Sequence, residues 1–266
     1  MKLLCLSNGH GEDEIAVQIL QKLRQISPHL EIFATPLVGR GYAYQKADIS
    51  IWGKVQQMPS GGFIYMDNRQ LWRDIQGGLL SLTLQQYQVI RQWGKIGGKI
   101  FAVGDIVPLL FAWLSQADYI FLGIAKSEYY LREEKGWLST TTRLERLWGS
   151  VYYPWERYLM ANSRCQAVLG RDELTCKVLQ QWSIPAVYLG NPMMDSLVSV
   201  SSPLTVDKET LFVLLLPGSR LPEAEANWQM ILQAVESVIF QLSEKKIVCL
   251  AAIAPSLKIS NFTKYL

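Results

Sequence analysis

Apolar and polar positions follow two periods along this chain. Lys2 to Leu6 is a short apolar run, Ser7-Asn8-Gly9-His10-Gly11 interrupts it, and Ile15, Ile19, Leu23 and Ile26 then recur at helical spacing. The pattern predicts a buried strand, a tight glycine turn and a helix. Further strands are predicted at Leu30 to Ala34 and Ile49 to Trp52, and Leu71, Ile75, Leu79, Leu82, Val89 and Trp93 mark a long helical face interrupted near Gly77-Gly78. Lys99 to Val103 reads as a strand closed by Gly104-Asp105, with an apolar helix from about Ile106 and a strand at Tyr119 to Leu122. Gln166 to Leu169, a helix over Asp172 to Trp182, and Ala186 to Leu189 continue the alternation up to Gly190-Asn191-Pro192. Strand alternating with helix predicts an α/β domain over residues 1–196.

Ser199 to Asp207, rich in Ser and Val with a proline at 203, reads as a linker to a second domain over 205–266. Leu211 to Leu216 is nearly all apolar, as expected of a parallel strand buried on both faces. Pro217-Gly218-Ser219-Arg220 is its turn, and a helix from Pro222 buries Trp228, Ile231, Val235, Val238 and Leu242. Ile247 to Ala252 returns as a strand. The segment from Leu211 onward is too short for a second Rossmann-like sheet, so the second domain reads as incomplete. Apolar edge strands without partners predict self-association, in the simplest case a homodimer.

Composition narrows the function classes. Of 266 residues 49% are hydrophobic and 18% charged, enough to build a large core and too apolar for intrinsic disorder. The formal charge is +3 and no basic run exceeds Lys245-Lys246, which argues against a nucleic-acid partner. Too few apolar residues precede Ser7 for a signal peptide, and the uncharged stretch from Val178 to Met194 holds too many polar residues and prolines to span a bilayer. The expectation is a cytoplasmic protein, soluble or at most peripheral to a membrane. Cys5, Cys165, Cys176 and Cys249 form no C-x-x-C pair and His10 and His29 are the only histidines, so a Cys/His zinc site is not expected. No cofactor is expected either.

Two strand-to-helix turns carry candidate chemistry. Pro217 to Arg220 precedes a helix N-terminus, where free backbone N–H groups, the Ser219 hydroxyl and the Arg220 fork suit a phosphate; the plainer reading is a solvated turn. Asn8 to Gly11 is followed by Glu12, Asp13 and Glu14, acids that favour the helix dipole and repel a pyrophosphate. That loop therefore suits a neutral, hydroxyl-bearing ligand or simply caps its helix, and His10 is a candidate base or a surface residue. Asp105 follows its strand directly and reaches the same sheet edge, as a general base near a second carboxylate or as a helix cap. Trp148 to Tyr158, with Arg143, Arg146 and Arg157, forms an aromatic and basic cluster suited to core packing or to a membrane interface.

Leu214-Leu215-Leu216-Pro217-Gly218-Ser219-Arg220 with Glu223, and Tyr188-Leu189-Gly190-Asn191-Pro192-Met193-Met194-Asp195, together resemble the paired signatures of lipid A disaccharide synthases and their less characterised relatives. Ser7 to Asp13 and Gly104-Asp105 stand where that family has its acidic glycine loop and its aspartate after a strand. The resemblance implies two Rossmann-like domains in the GT-B arrangement and an inverting transfer of an N-acetylglucosamine-type sugar from a UDP-sugar to a lipid-linked acceptor, without a required metal. It implies catalytic roles for Asp105, Asp13, Glu12 or His10, and substrate contacts from Gly9, Gly11, Asn191, Gly218, Ser219, Arg220 and Glu223. Asn191 stands where that family has a histidine. The alternatives are a nucleotide-sugar epimerase of the same fold and a non-catalytic sugar- or lipid-binding remnant.

Overall fold

A computed structural model of the chain describes residues 1–53, 55, 79–195, 209–218, 221–242, 244–254 and 257–265, without the side chains of His10, Leu79 and Leu80. Leu71, Ile75, Gly77-Gly78 and the Ser199 to Asp207 linker lie outside the described residues. The chain divides into two compact units, Met1–Val198 and Ser199–Leu266.

The first unit is built on a seven-stranded, wholly parallel sheet. Its strands are β1 (Lys2–Ser7), β2 (Glu31–Pro36), β3 (Ser50–Ile51), β4 (Lys99–Gly104), β5 (Tyr119–Gly123), β8 (Cys165–Gly170) and β9 (Ala186–Val187), in the order β3-β2-β1-β4-β5-β8-β9. Both faces are covered. On β1, Leu4 and Leu6 point into one core with Ile90 and Trp93 of α3 (Leu79–Lys95) and Leu109 and Phe111 of α4 (Ile106–Ser115). Cys5 points the other way, among Ile15, Ala16 and Leu20 of α1 (His10–Ile26) and Tyr44 of α2 (Tyr42–Lys46). Opposite faces of one strand thus serve two cores, which is why these strands read as continuous apolar runs. β9 ends at Val187, two residues before the expected limit, and Tyr188 and Leu189 are exposed because no further strand pairs with them among the described residues.

Between β5 and β8 the chain holds structure that hydrophobic periodicity did not predict. A 3₁₀ turn (Glu128–Tyr130) leads to an antiparallel pair, β6 (Arg132–Glu133) and β7 (Gly136–Trp137), then to α5 (Arg143–Trp148) and α6 (Pro154–Met160). Buried charges hold it together. Glu128, fully enclosed, accepts from the Ser150 hydroxyl and from Val151 N at 2.9 Å and pairs with Arg132 at 2.9 Å. Glu156 accepts from Tyr153 N at 2.8 Å and from Lys126 Nζ at 2.6 Å. Thr142 and Glu145 cap α5 reciprocally. α7 (Glu173–Gln180) follows β8 and is capped by Asp172, which accepts from Thr175 N at 2.8 Å.

In the second unit β10 (Thr210–Leu215) pairs in parallel with β11 (Lys246–Ala251), and α8 (Glu223–Gln241) and α9 (Ser260–Thr263) complete it. Leu215, Ala224, Trp228 and Phe262 form its core, with Val213, Ile231 and Val235 against it. The expected burial of β10 on both faces is not met: Leu214 is 61% and Leu216 64% exposed. α8 covers one face only, and nothing among the described residues covers the other. Val238, expected in the buried face of α8, is also exposed, because the core ends near Val235.

Candidate functional site

The order of the parallel sheet reverses between β1 and β4, and at such a switch point the loops leaving the two strands diverge and open a crevice at the carboxyl edge. Asn8 leaves β1 there and Gly104-Asp105 ends β4. Asn8 Nδ2 donates to Asp105 Oδ2 at 3.0 Å across the gap, while Asp105 Oδ1 accepts from Val107 N at 2.8 Å and caps α4. Both readings of Asp105, sheet-edge acid and helix cap, hold together. Burial pushes its proton affinity above the ordinary carboxylate range, opposed by the Val107 N–H, by Asn8 and by the charge of Lys126.

Glu12, in the first turn of α1, lies against both turns: a Cβ built on Gly104 would sit 3.0 Å from its Cγ, and one on Gly9 3.3 Å from its Oε2. Gly104 has φ +125° and Gly9 φ +144°, conformations that L side chains rarely adopt. Gly9 caps α1 without a side-chain hydrogen bond, and Gly11 is exposed with open space around it. His10 opens α1, and its side chain lies outside the described ones.

Asp13 sits behind this edge, 1% exposed. Its Oδ1 accepts from Ser7 Oγ at 2.5 Å, Ser7 Oγ lies 2.6 Å from Tyr44 OH, and Cys5 Sγ lies 3.7 Å from the same hydroxyl. Burial pushes the Asp13 carboxyl up to about 7 despite the Ser7 hydrogen bond, with Glu12 and Glu14 adding repulsion. The acids expected to converge therefore divide by position. Asp105 and Glu12 line the switch point half-buried, and Asp13 braces the loop from within.

Lys126, in the loop after β5, adds a cation that sequence reasoning missed. It pairs with Glu156 at 2.6 Å and stands 4.5 Å over the Tyr153 ring. The rule that singled out Asp105, a charged residue just past a parallel strand, applies to Lys126 as well. Tyr44 left no such signal, since it meets Ser7 only through the fold.

The remaining candidates lie elsewhere. Asn191 caps the 3₁₀ turn Pro192–Met194, its Oδ1 accepting from Met193 N at 3.1 Å, and that turn packs against α1. In the second unit Gly218 has φ +110° and lines a shallow concavity of about 310 Å³ with Leu216, Ala252, Ile253 and Ala254, at the carboxyl ends of β10 and β11. Asn227 Nδ2 holds the Pro217 carbonyl at 3.0 Å. Glu223 is exposed in the first turn of α8. Ser219 and Arg220 lie outside the described residues. Among the described residues no cluster of three or more metal-ligating side chains occurs, and no helix is long and apolar enough to cross a membrane.

Neither a protein-family model nor a curated protein matches this chain. Solved structures do. An S. aureus MnaA co-structure with UDP matches 99% of this chain and 65% of its own at 14% identity, with a TM-score of 0.56. A UDP-N-acetylglucosamine 2-epimerase matches 100% of this chain and 71% of its own at 10% identity, with a TM-score of 0.55. This chain thus spans about two thirds of the length of the structures it matches. The expected kinship with lipid A disaccharide synthases gives way to a coarser statement: the chain has the α/β, Rossmann-like fold of these two structures, one holding UDP and the other a UDP-N-acetylglucosamine 2-epimerase.

Proposed function

We propose that this chain acts on a UDP-sugar as a nucleotide-sugar epimerase, inverting the C2 centre of an N-acetylhexosamine. The observation that carries the reading is the Asn8–Asp105 pair across the switch point, which holds a carboxyl of raised proton affinity where an open α/β sheet receives its ligand. Asp105 takes the C2 proton as the C1–O bond to UDP breaks, the C–H electron pair forming a C1=C2 double bond and the C–O pair leaving on the diphosphate. A proton returned to the opposite face of C2 and re-addition of the diphosphate oxygen at C1 complete the inversion. In the second unit taken by itself, the turn after β10, through helix N–H groups and Arg220, suits a phosphate group. Incubation with UDP-N-acetylglucosamine in deuterium oxide, followed by proton NMR, tests this. Deuterium at C2 and the manno epimer are expected; bound nucleotide with neither would favour a non-catalytic remnant.

A second reading, transfer of the sugar to a lipid-linked acceptor, is favoured by α5. That helix buries none of its side chains: Leu144 is 56% and Leu147 83% exposed, on the same stripe as Trp148, whose ring packs against Tyr153 and Trp155. With Arg143 and Arg146 beside them, these residues suit the interface of an anionic bilayer. Transfer product with a lipid-linked sugar, and co-sedimentation with phosphatidylglycerol vesicles that Leu147→Asp abolishes, would support this reading over epimerisation.

A further inference from the structure

Asn8 is 1% exposed, yet only one end of its carboxamide is used. Nδ2 donates to Asp105, while Oδ1 is enclosed with no hydrogen-bond partner among the described residues. A carboxamide carries a donor and an acceptor on one planar group, and a half-turn about its last torsion exchanges them. A carboxyl has the matching property. Ionised, it only accepts; protonated, it also donates.

We propose that Asn8 is the positioning residue of Asp105, pairing through Nδ2 with the ionised carboxylate and, after a half-turn, through Oδ1 with the protonated acid. The inference rests on the reading of Asp105 as the base. A base alternates between two protonation states in each turnover, and a hydrogen-bond partner fixed as donor or as acceptor fits only one of them. Asn8 fits both while its backbone stays tied to the sheet, where Leu37 N donates to the Ser7 carbonyl at 2.8 Å. The other groups facing Asp105 cannot make this exchange. Val107 N–H is a fixed donor, Lys126 is a cation paired with Glu156, and Glu12, packed on Gly104, could match both states only by gaining or losing a proton of its own.

The test reads the Asp105 carboxyl itself, by carbon-13 NMR titration of the full chain, its signal assigned by its loss in Asp105→Asn. Asn8→Ala removes the partner of both states, but the hydrogen bond to the carboxylate is the stronger, so the midpoint is expected to move up by the difference, roughly half to one pH unit. The acidic limb of the activity profile is expected to move with it. Asn8→Asp, which keeps the shape and exchanges the donor for a second acid, is expected to replace the single titration by two coupled steps, and it carries the measurement if Asn8→Ala does not fold. An Asp105 titration unmoved in the variants, beside a lowered melting temperature, would overturn the proposal and leave Asn8 as architecture. Full activity in Asp105→Asn would sink the base reading alone, since the titration shift still decides whether Asn8 controls this carboxyl.

Discussion

Ser7 Oγ donates to Asp13 Oδ1 at 2.5 Å, tying the last residue of β1 to the first turn of α1 beneath the loop that carries Asn8. Burial pushes the Asp13 carboxyl up to about 7, whereas an unfolded aspartate titrates near ~3.9. Between those values the folded chain holds the extra proton. Asp13 therefore contributes stability that is fully present below pH ~4, declines as pH rises toward about 7, and is gone above it. Urea unfolding from pH 5 to 8 is expected to show stability falling more steeply in wild type than in Asp13→Asn. The difference should reach the order of a few kcal/mol, and parallel curves would remove Asp13 from the account.

Asp105→Asn tests the proposed base with little risk to the fold. Asparagine caps helices about as well as aspartate, so the Val107 N–H of α4 keeps its acceptor. Turnover is expected to fall by roughly 10² to 10⁴, the usual contribution of a general base, with the melting temperature nearly unchanged. Unchanged turnover with lowered stability would make Asp105 a cap alone.

Gly104 and Gly11 should respond oppositely to alanine. At Gly104 the backbone is at φ +125° and a Cβ would press on Glu12 Cγ at 3.0 Å, so Gly104→Ala is expected to cost about 1–3 kcal/mol and to displace Glu12. Gly11 lies in α1 with open space around it, and Gly11→Ala is expected to stabilise the chain by about 0.5–1 kcal/mol. Calorimetric melting of both variants decides this. Weaker sugar binding by a more stable Gly11→Ala protein would mark that glycine as a place of close ligand approach.

Arg220→Ala is expected to weaken UDP binding by about 1.5–3 kcal/mol, the range for a hydrogen bond to a charged group. Titration calorimetry of wild type and variant measures it. Equal affinities would return Arg220 to a solvated turn.

Elements whose stability comes from apolar faces were legible in the sequence: β1, α1, β4, α4 and β8 fall where spacing predicts them, because each buries its own periodic residues. The stretch from Lys126 to Met160 was not, because Glu128, Ser150, Arg132 and Glu156 hold it through buried polar contacts that leave no period. Asp105 was legible because its place depends only on the strand before it. The Ser7–Tyr44 contact was illegible because it joins residues 37 positions apart through the sheet.

β1 and β4 lie side by side within the sheet, with β2 and β5 outside them. Asn8 and Asp105 each stand one residue beyond one of these strands, so their separation is set by ladder hydrogen bonds instead of by loop conformation. Warming frays a sheet from its margins, here β3 and β9, each only two residues long, before it reaches the middle. The span between the two side chains should therefore keep its length through partial melting and be lost only with the sheet itself, making the site one of the last features of the first unit to disappear.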